Sequence, residues 1–281
     1  MSAYIDDIRH TYDFDSRISP PHAVDDRANF ELTLILRLFL HQVNPPSGKS
    51  TFRFPDIDGR LWPVLRWNRA SWIDFRKRYL KLVSQVWDKA FILIPPAAYN
   101  GFVWPNRGKR RNLLCRLGIQ VLDSEKEAHA TIKVVRLATP TKTAFRSHSG
   151  LLDSEDIKLS RTRFRSEGAS FTHNIPAHEI GHLLGLPHAG LNNPRCVDDQ
   201  SGACYGSNLV ERMNVMGGGS MLDLSQARPW QVRAPLHVTS TSSKDWKTDW
   251  ASSEAALRGL EGLKVDESHK VQRPKPGMID L

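Results

Sequence analysis

Cysteine is scarce in this chain. Three in 281 residues, Cys115, Cys196 and Cys204, are too few for a disulfide framework, and no C-x-x-C pair offers redox or structural-metal chemistry. Long apolar runs are missing too: with no stretch of 18 apolar residues, the sequence predicts no membrane-spanning helix. The start, Met1 to His10, is polar and acidic. It lacks the basic opening and apolar stretch of a secretory signal. The expectations are a cytoplasmic protein, export by an injection-type route that needs no such signal, or a signal already removed. A G-x-S-x-G elbow and a dinucleotide fingerprint are also absent. Gly48-Lys49-Ser50 has the ending of a phosphate loop, but the first glycine of that motif would fall on Val43. Acidic residues are outnumbered, 30 against 39 basic, for a net charge of +9 and a pI near 9.6. The basic residues are scattered over 66–81, 107–116 and 161–165 and read as solvated surface. No nucleic-acid motif accompanies them, so no nucleic-acid partner is expected.

What the chain does have is the composition of a globular protein, 40% hydrophobic and 25% charged. Residues 1–27 are polar and read as a leader or disordered arm. Residues 28–238 read as the main domain, and 239–281, rich in Ser, Lys, Asp and Glu, as a tail or peripheral appendage. Glu31 to Val43 alternates loosely, as a strand does, although a short helix also fits. Thr51 to Arg66 reads as a hairpin around Asp58-Gly59. Ser71 to Trp87 places apolar residues at helical spacing. Short strands are expected at Phe91–Ile94, Gly118–Leu122, Ala130–Leu137 and Leu151–Leu159. Helices are expected from Ser225 and over Ser253–Leu263.

One stretch carries chemistry: His178-Glu179-Ile180-Gly181-His182-Leu183-Leu184-Gly185-Leu186-Pro187-His188, an H-E-x-x-H-x-x-G-x-x-H pattern. Residues four apart on a helix lie about 40° apart around its axis, so His178 and His182 point the same way. Glu179, about 100° round from His178, can flank a shared metal without ligating it. Ile180, Leu183 and Leu184 fall on the opposite face and can anchor the helix in a core. Gly185 suits a left-handed helix end and Pro187 stops any continuation, so the chain turns back and His188 can reach the same ion. Asn174 is placed to cap the helix, with Pro176 in its first turn. Five fixed residue types at these spacings arise by chance in roughly one chain of this length in 100,000. Three protein ligands leave one coordination position open, the mark of a catalytic site rather than a closed structural one.

The extended motif resembles that of the metzincin clan of zinc metallopeptidases. A second element supports the likeness. Asn214-Val215-Met216-Gly217-Gly218-Gly219 follows, with Met216 28 residues after His188, where the clan has a methionine turn beneath its metal. Taken alone, Met216 reads as core filler, since methionine packs well into irregular gaps. The close resemblance covers Asn174 to Trp230. It implies an α+β, zincin-like fold: a mixed sheet with the active-site helix in an N-terminal lobe, and an irregular C-terminal lobe with the methionine turn and a closing helix. It also implies a bound Zn2+ held by His178, His182 and His188, with Glu179 as general base. The sequence departs from some subfamilies: Gly218 replaces a tyrosine that can join the metal, and Ala189 replaces an acidic residue after the third histidine.

The expected activity is hydrolysis of peptide bonds in a protein or peptide lying extended in a cleft and pairing with an edge strand. The alternatives are a zinc hydrolase acting on another amide and a non-enzymatic zinc-binding effector or cargo protein. A basic chain without a secretory signal and with polar ends is similar in that respect to peptidase effectors and toxins delivered by bacterial injection machines. A monomer is the default expectation. Cys196 and Cys204, between the third histidine and the methionine turn, are either a loop disulfide or two free thiols. His173, just ahead of the motif, reads as a surface or local hydrogen-bonding residue, and His129 as structural.

Overall fold

The computed structural model describes residues 6–22, 27–99, 112–139, 145–164, 168–198, 201–259 and 263–265. Its strands are β1 (Ile8–Arg9), β2 (Asp15–Ser19), β3 (Phe30–Val43), β4 (Thr51–Pro55), β5 (Leu61–Leu65), β6 (Phe91–Ile94), β7 (Leu113–Leu122), β8 (Ala130–Leu137), β9 (Leu151–Asp153), β10 (Ser160–Phe164), β11 (Ala169–His173), β12 (Lys247–Trp250) and β13 (Lys264–Val265). The α-helices are α1 (Arg69–Trp87), α2 (Ile175–Leu183), α3 (Leu209–Met213), α4 (Arg228–His237) and α5 (Ser253–Leu257). The class is mixed α+β, with one large mixed sheet and few helices.

β3 is the spine of that sheet. It runs parallel to β7 on one side and, along its second half, parallel to β8 on the other; β2 pairs antiparallel with its first half. Leu32, Leu34, Leu36, Leu38 and Leu40 are all buried, the period of two that a pleated strand imposes. The sheet order is β12-β6-β7-β3-β8-β5-β4, with β1, β2 and β9 attached beside it. β4 and β5 form the expected hairpin, with Gly59 at φ +77° in the turn.

α1 packs against α2 and against β7. Its buried side chains Phe75, Tyr79, Leu82, Val83, Val86 and Trp87 recur at i, i+4, i+7, i+8, i+11 and i+12, one face of a 3.6-residue helix. Asn68 caps it by accepting a hydrogen bond from the Ser71 amide at 2.8 Å. Among the described residues no helix is long and apolar enough to cross a membrane.

Three sequence expectations need correction. Residues 6–22 are not an arm: β2 joins the main sheet, and Phe14 and Ile18 are buried in the core. Their polar neighbours hid this, because Asp15 and Ser16 are buried against partners distant in sequence. Arg37 donates to Asp15 at 2.8 Å, and Ser16 Oγ lies 2.9 Å from His237 Nε2. Likewise the segment after 239 is not peripheral throughout, since β12 completes one edge of the sheet beside β6 and Trp246 is buried; residues 266–281 of the expected tail lie outside the described residues. Leu151–Leu159 is strand only to Asp153. Beyond it the Asp153 carboxylate accepts the Glu155 amide and Asp156 accepts the Asp153 amide, the local bonding by which aspartate favours turns over strands. The basic run at 161–165 begins inside β10, which pairs with β11 in a separate three-stranded sheet, and its Arg161 and Arg163 are exposed, as expected of a solvated surface.

Elsewhere the differences are of extent. β7 starts at Leu113 rather than Gly118, and α5 stops at Leu257. Asp223, not Ser225, begins the next helical segment, accepting the Ser225 amide at 2.8 Å ahead of the 3-10 turn that leads into α4.

Candidate metal centre

β11 delivers the chain to α2 through Asn174, which accepts the Ala177 amide at 3.1 Å and caps the helix as its sequence position predicts. The same side chain donates to the Leu82 carbonyl at 3.1 Å, and Trp87 Nε1 donates to the Ala177 carbonyl at 2.9 Å. α2 is thus tied to α1 at two points. Ile180 and Leu184 are buried on the core side.

The helix ends in a Schellman motif. The Gly185 amide donates to the His182 carbonyl and the Leu186 amide to the Gly181 carbonyl, both at 2.9 Å, with Gly185 at φ +82°. This reversal returns His188 to the helix face that carries the other two histidines. His182 Nε2 lies 3.1 Å from His178 Nε2 and 3.1 Å from His188 Nε2. The three ligand atoms fall within 4.8 Å of one another, so the triad can hold a metal ion. The structure therefore brings together all three histidines of the motif, as their spacing predicts.

The tautomers favour that use. His178 Nδ1 donates to the Val215 carbonyl at 2.7 Å, and His182 Nδ1 to the Leu186 carbonyl at 3.0 Å. With each Nδ1 proton committed to a carbonyl, Nε2 of both rings presents a lone pair. Lone pairs facing at this separation repel unless a cation lies between them. Burial also pushes the His178 imidazole well below its ordinary pKa, which keeps it in the neutral form a metal needs.

Glu179 is next to His178 on the helix and buried, and burial lifts its carboxyl to about 8. Its charge is felt by two other buried groups, Tyr79 and Asp156. His173 is half-buried and lies edge-on to the His178 ring, with centroids 5.9 Å apart, and desolvation lowers its pKa to about 4. His129 is structural, accepting the Arg37 amide at 2.9 Å.

The turn at Asn214–Gly219 supports the centre from below. Asn214 Oδ1 accepts the Met216 amide at 2.8 Å, and the Gly217 and Gly219 amides return to the Asn214 carbonyl at 2.8 and 3.1 Å. A Cβ on Gly217 would lie 2.1 Å from the Glu211 carbonyl oxygen, and one on Gly219 1.9 Å from that of Met213. Only glycine fits against backbone that close. The turn buries Met216 against Gly181 of α2, turns the Val215 carbonyl to His178, and receives the Ala189 amide on the Met216 carbonyl at 2.8 Å. One short turn therefore touches both His178 and the segment that carries His188.

Cys196 and Cys204 are joined as a disulfide, which selects the first of the two states open from the sequence. Two groups near the triad escaped sequence reading. Tyr205 lies with its ring centroid 5.6 Å from that of His178 and 4.4 Å from that of His188. The signal available was its place directly after Cys204, in a loop that a disulfide folds back toward the third histidine. Asp156, buried and sensitive to the charge of Glu179, was hidden inside an expected strand. Set against models of known protein families, curated proteins and solved structures, the chain matches none of them.

Proposed function

We propose that this protein is a zinc-dependent endopeptidase of the metzincin type. The observation that carries the reading is the convergence of three imidazole nitrogens beside a buried glutamate. Zinc–nitrogen bonds of 2.0–2.1 Å in tetrahedral array put the ligand atoms roughly 3.3 Å apart. The two separations of 3.1 Å at His182 fit that size. Imidazole also suits copper and nickel, but the open fourth position and the adjacent carboxylate favour hydrolytic zinc. Zinc supplies Lewis acidity there, acidifying water and polarising a carbonyl oxygen.

The chain's own residues divide the remaining work. The carbonyls of Val215 and Leu186 orient two of the three imidazoles and raise their basicity. The Glu179 carboxylate takes a proton from the attacking water and passes it to the amine that leaves the cleaved bond. A neighbouring cation favours the ionised carboxylate and so opposes the effect of burial on that group. Met216 forms an apolar floor under the ligands rather than a further ligand, in keeping with its place against Gly181. Substrate is a protein or peptide held extended along an edge strand.

The deciding experiment is metal analysis of the purified chain together with cleavage of a diverse peptide library, with and without a chelator. The expected result is one zinc per chain and cleavage that the chelator abolishes and zinc restores. A chain that stays metal-free when zinc is supplied defeats the proposal. Zinc binding without any peptide cleavage directs the site to another amide or to a non-catalytic role.

A further inference from the structure

The three histidines are carried by different parts of the fold. His178 and His182 stand on α2, where the helix and a carbonyl at each Nδ1 orient their rings. His188 lies beyond the helix end, in a segment without regular structure. Its position depends on what packs beside it. Gly190, two residues on, donates its amide to the Cys204 carbonyl at 2.8 Å. A Cβ on Gly190 would lie 2.4 Å from the Ala203 carbonyl oxygen and 2.6 Å from the Gly206 amide nitrogen. Residues 203–206 therefore sit directly on the strand of chain leaving His188.

Within that contact the side chain of Tyr205 completes a group of three rings. His178 and His188 stack with centroids 5.3 Å apart and planes 29° from parallel. The Tyr205 ring lies at 15° to His178 and 38° to His188. The residue before it, Cys204, is fully buried and bridged to Cys196 eight residues earlier. A closed loop has few conformations to explore, so the bridge restricts where the following residue can place its ring.

We propose that the Cys196–Cys204 bridge holds Tyr205 as a positioning residue against His178 and His188, and that this wall keeps the third ligand in place for the metal. The inference rests on the zinc reading above and adds what controls metal retention at the site. Partners just outside a ligand shell typically contribute 10–100-fold to metal affinity, and the loop-borne ligand has most to lose.

The test is zinc affinity of the full chain by competition with a chromogenic chelator. Tyr205→Ala and the double variant Cys196→Ser/Cys204→Ser are each expected to bind zinc about 10–100-fold more weakly than the wild type. Tyr205→Phe, which keeps the ring, is expected to bind like the wild type. Visible spectra of the cobalt(II)-loaded chains supply a second readout: the spectrum changes in Tyr205→Ala and not in Tyr205→Phe, a signature that a merely structural loop would not produce. If the double serine variant does not fold, wild-type chain reduced, alkylated and desalted takes its place. Zinc binding as tight as wild type in Tyr205→Ala, or in the chain without the bridge, overturns the inference. A wild-type chain that takes up no zinc at all defeats the metal reading instead, so the two failures are distinguishable.

Discussion

Gly181 and Met216 occupy each other's space: a Cβ built on Gly181 would lie 2.2 Å from Met216 Sδ and 3.1 Å from its Cε, with Trp87 Cζ2 at 3.2 Å on the same side. Gly181 is helical and needs no unusual φ. It is glycine because the methionine lies where any side chain would begin. The variable position between Glu179 and His182 is therefore constrained by the floor beneath the triad.

Gly181→Ala is expected to destabilise the fold by about 1–3 kcal/mol, the usual cost of overpacking a filled core. Part of that loss should return in Gly181→Ala/Met216→Ala, where the added methyl has room. Met216→Ala alone should cost about 2–5 kcal/mol through the cavity it leaves. Denaturant unfolding of the four chains closes the cycle. Strictly additive losses would mean that the two side chains do not compete.

Metal uptake should fail when any ligand is removed. His178→Ala, His182→Ala and His188→Ala are each expected to purify without stoichiometric metal and without metal-dependent cleavage, as read by elemental analysis and peptide assay. His178→Ala and His182→Ala should each also lose stability, because each strips the carbonyl of a buried residue, Val215 or Leu186, of its donor, a loss of about 1–3 kcal/mol. Full metal content in any of these chains would exclude that histidine as a ligand.

Glu179→Gln separates binding from turnover. The amide keeps the size of the side chain but cannot accept the proton of the attacking water. Metal content should match the wild type while the cleavage rate falls by about 10²–10⁴-fold or more. Retained turnover would remove Glu179 from the general-base role, whatever the metal does.

The parts of this architecture that could be read from sequence are those where one short period dictates the outcome. Helical spacing was enough to bring His178 and His182 together, the Gly185–Pro187 reversal to return His188 to them, and Asn174 and Gly185 mark the two ends of α2 because each satisfies backbone groups locally. Loose period-two alternation pointed to β3, with a short helix left open, and the Asp58-Gly59 turn pointed to the β4–β5 hairpin. What stayed hidden depends on partners far along the chain. β2 looks polar until Arg37 and His237 are placed beside Asp15 and Ser16. β12 finds its partner β6 about 150 residues away in sequence. Tyr205 reaches the histidines only because a disulfide and two tight glycine contacts fold its loop back.

Asp153 and Asp156 give the fold a pH dependence with a definite sign. Both are buried; Asp156 Oδ2 accepts Ser147 Oγ at 2.6 Å and the Asp153 amide at 2.7 Å. Burial raises Asp153 to about 6 and Asp156 well above the carboxylate range; the charge of Glu155 adds to it at Asp153, and those of Asp153 and Glu179 at Asp156, while hydrogen bonds to both carboxylates, and Lys158 at Asp153, oppose it. A carboxyl whose folded pKa is raised favours the fold fully below its unfolded value of 3.8, and that contribution is lost as pH rises through about 6. Half-buried His173, lowered to about 4 by desolvation, acts in the opposite sense, favouring the fold above its unfolded value and opposing it as pH falls. The variant difference isolates the carboxyl pair from that background. In Asp156→Asn the amide oxygen can accept both hydrogen bonds with no charge to bury. The variant should therefore melt higher than the wild type at pH 8, by roughly 2–4 °C for each kcal/mol recovered, with the advantage shrinking as pH falls toward the unfolded value of 3.8. Thermal melts of both chains across pH 5–8 read this directly. An advantage that is constant across the range, or that grows toward acid, would show that the pair does not carry its protons as described.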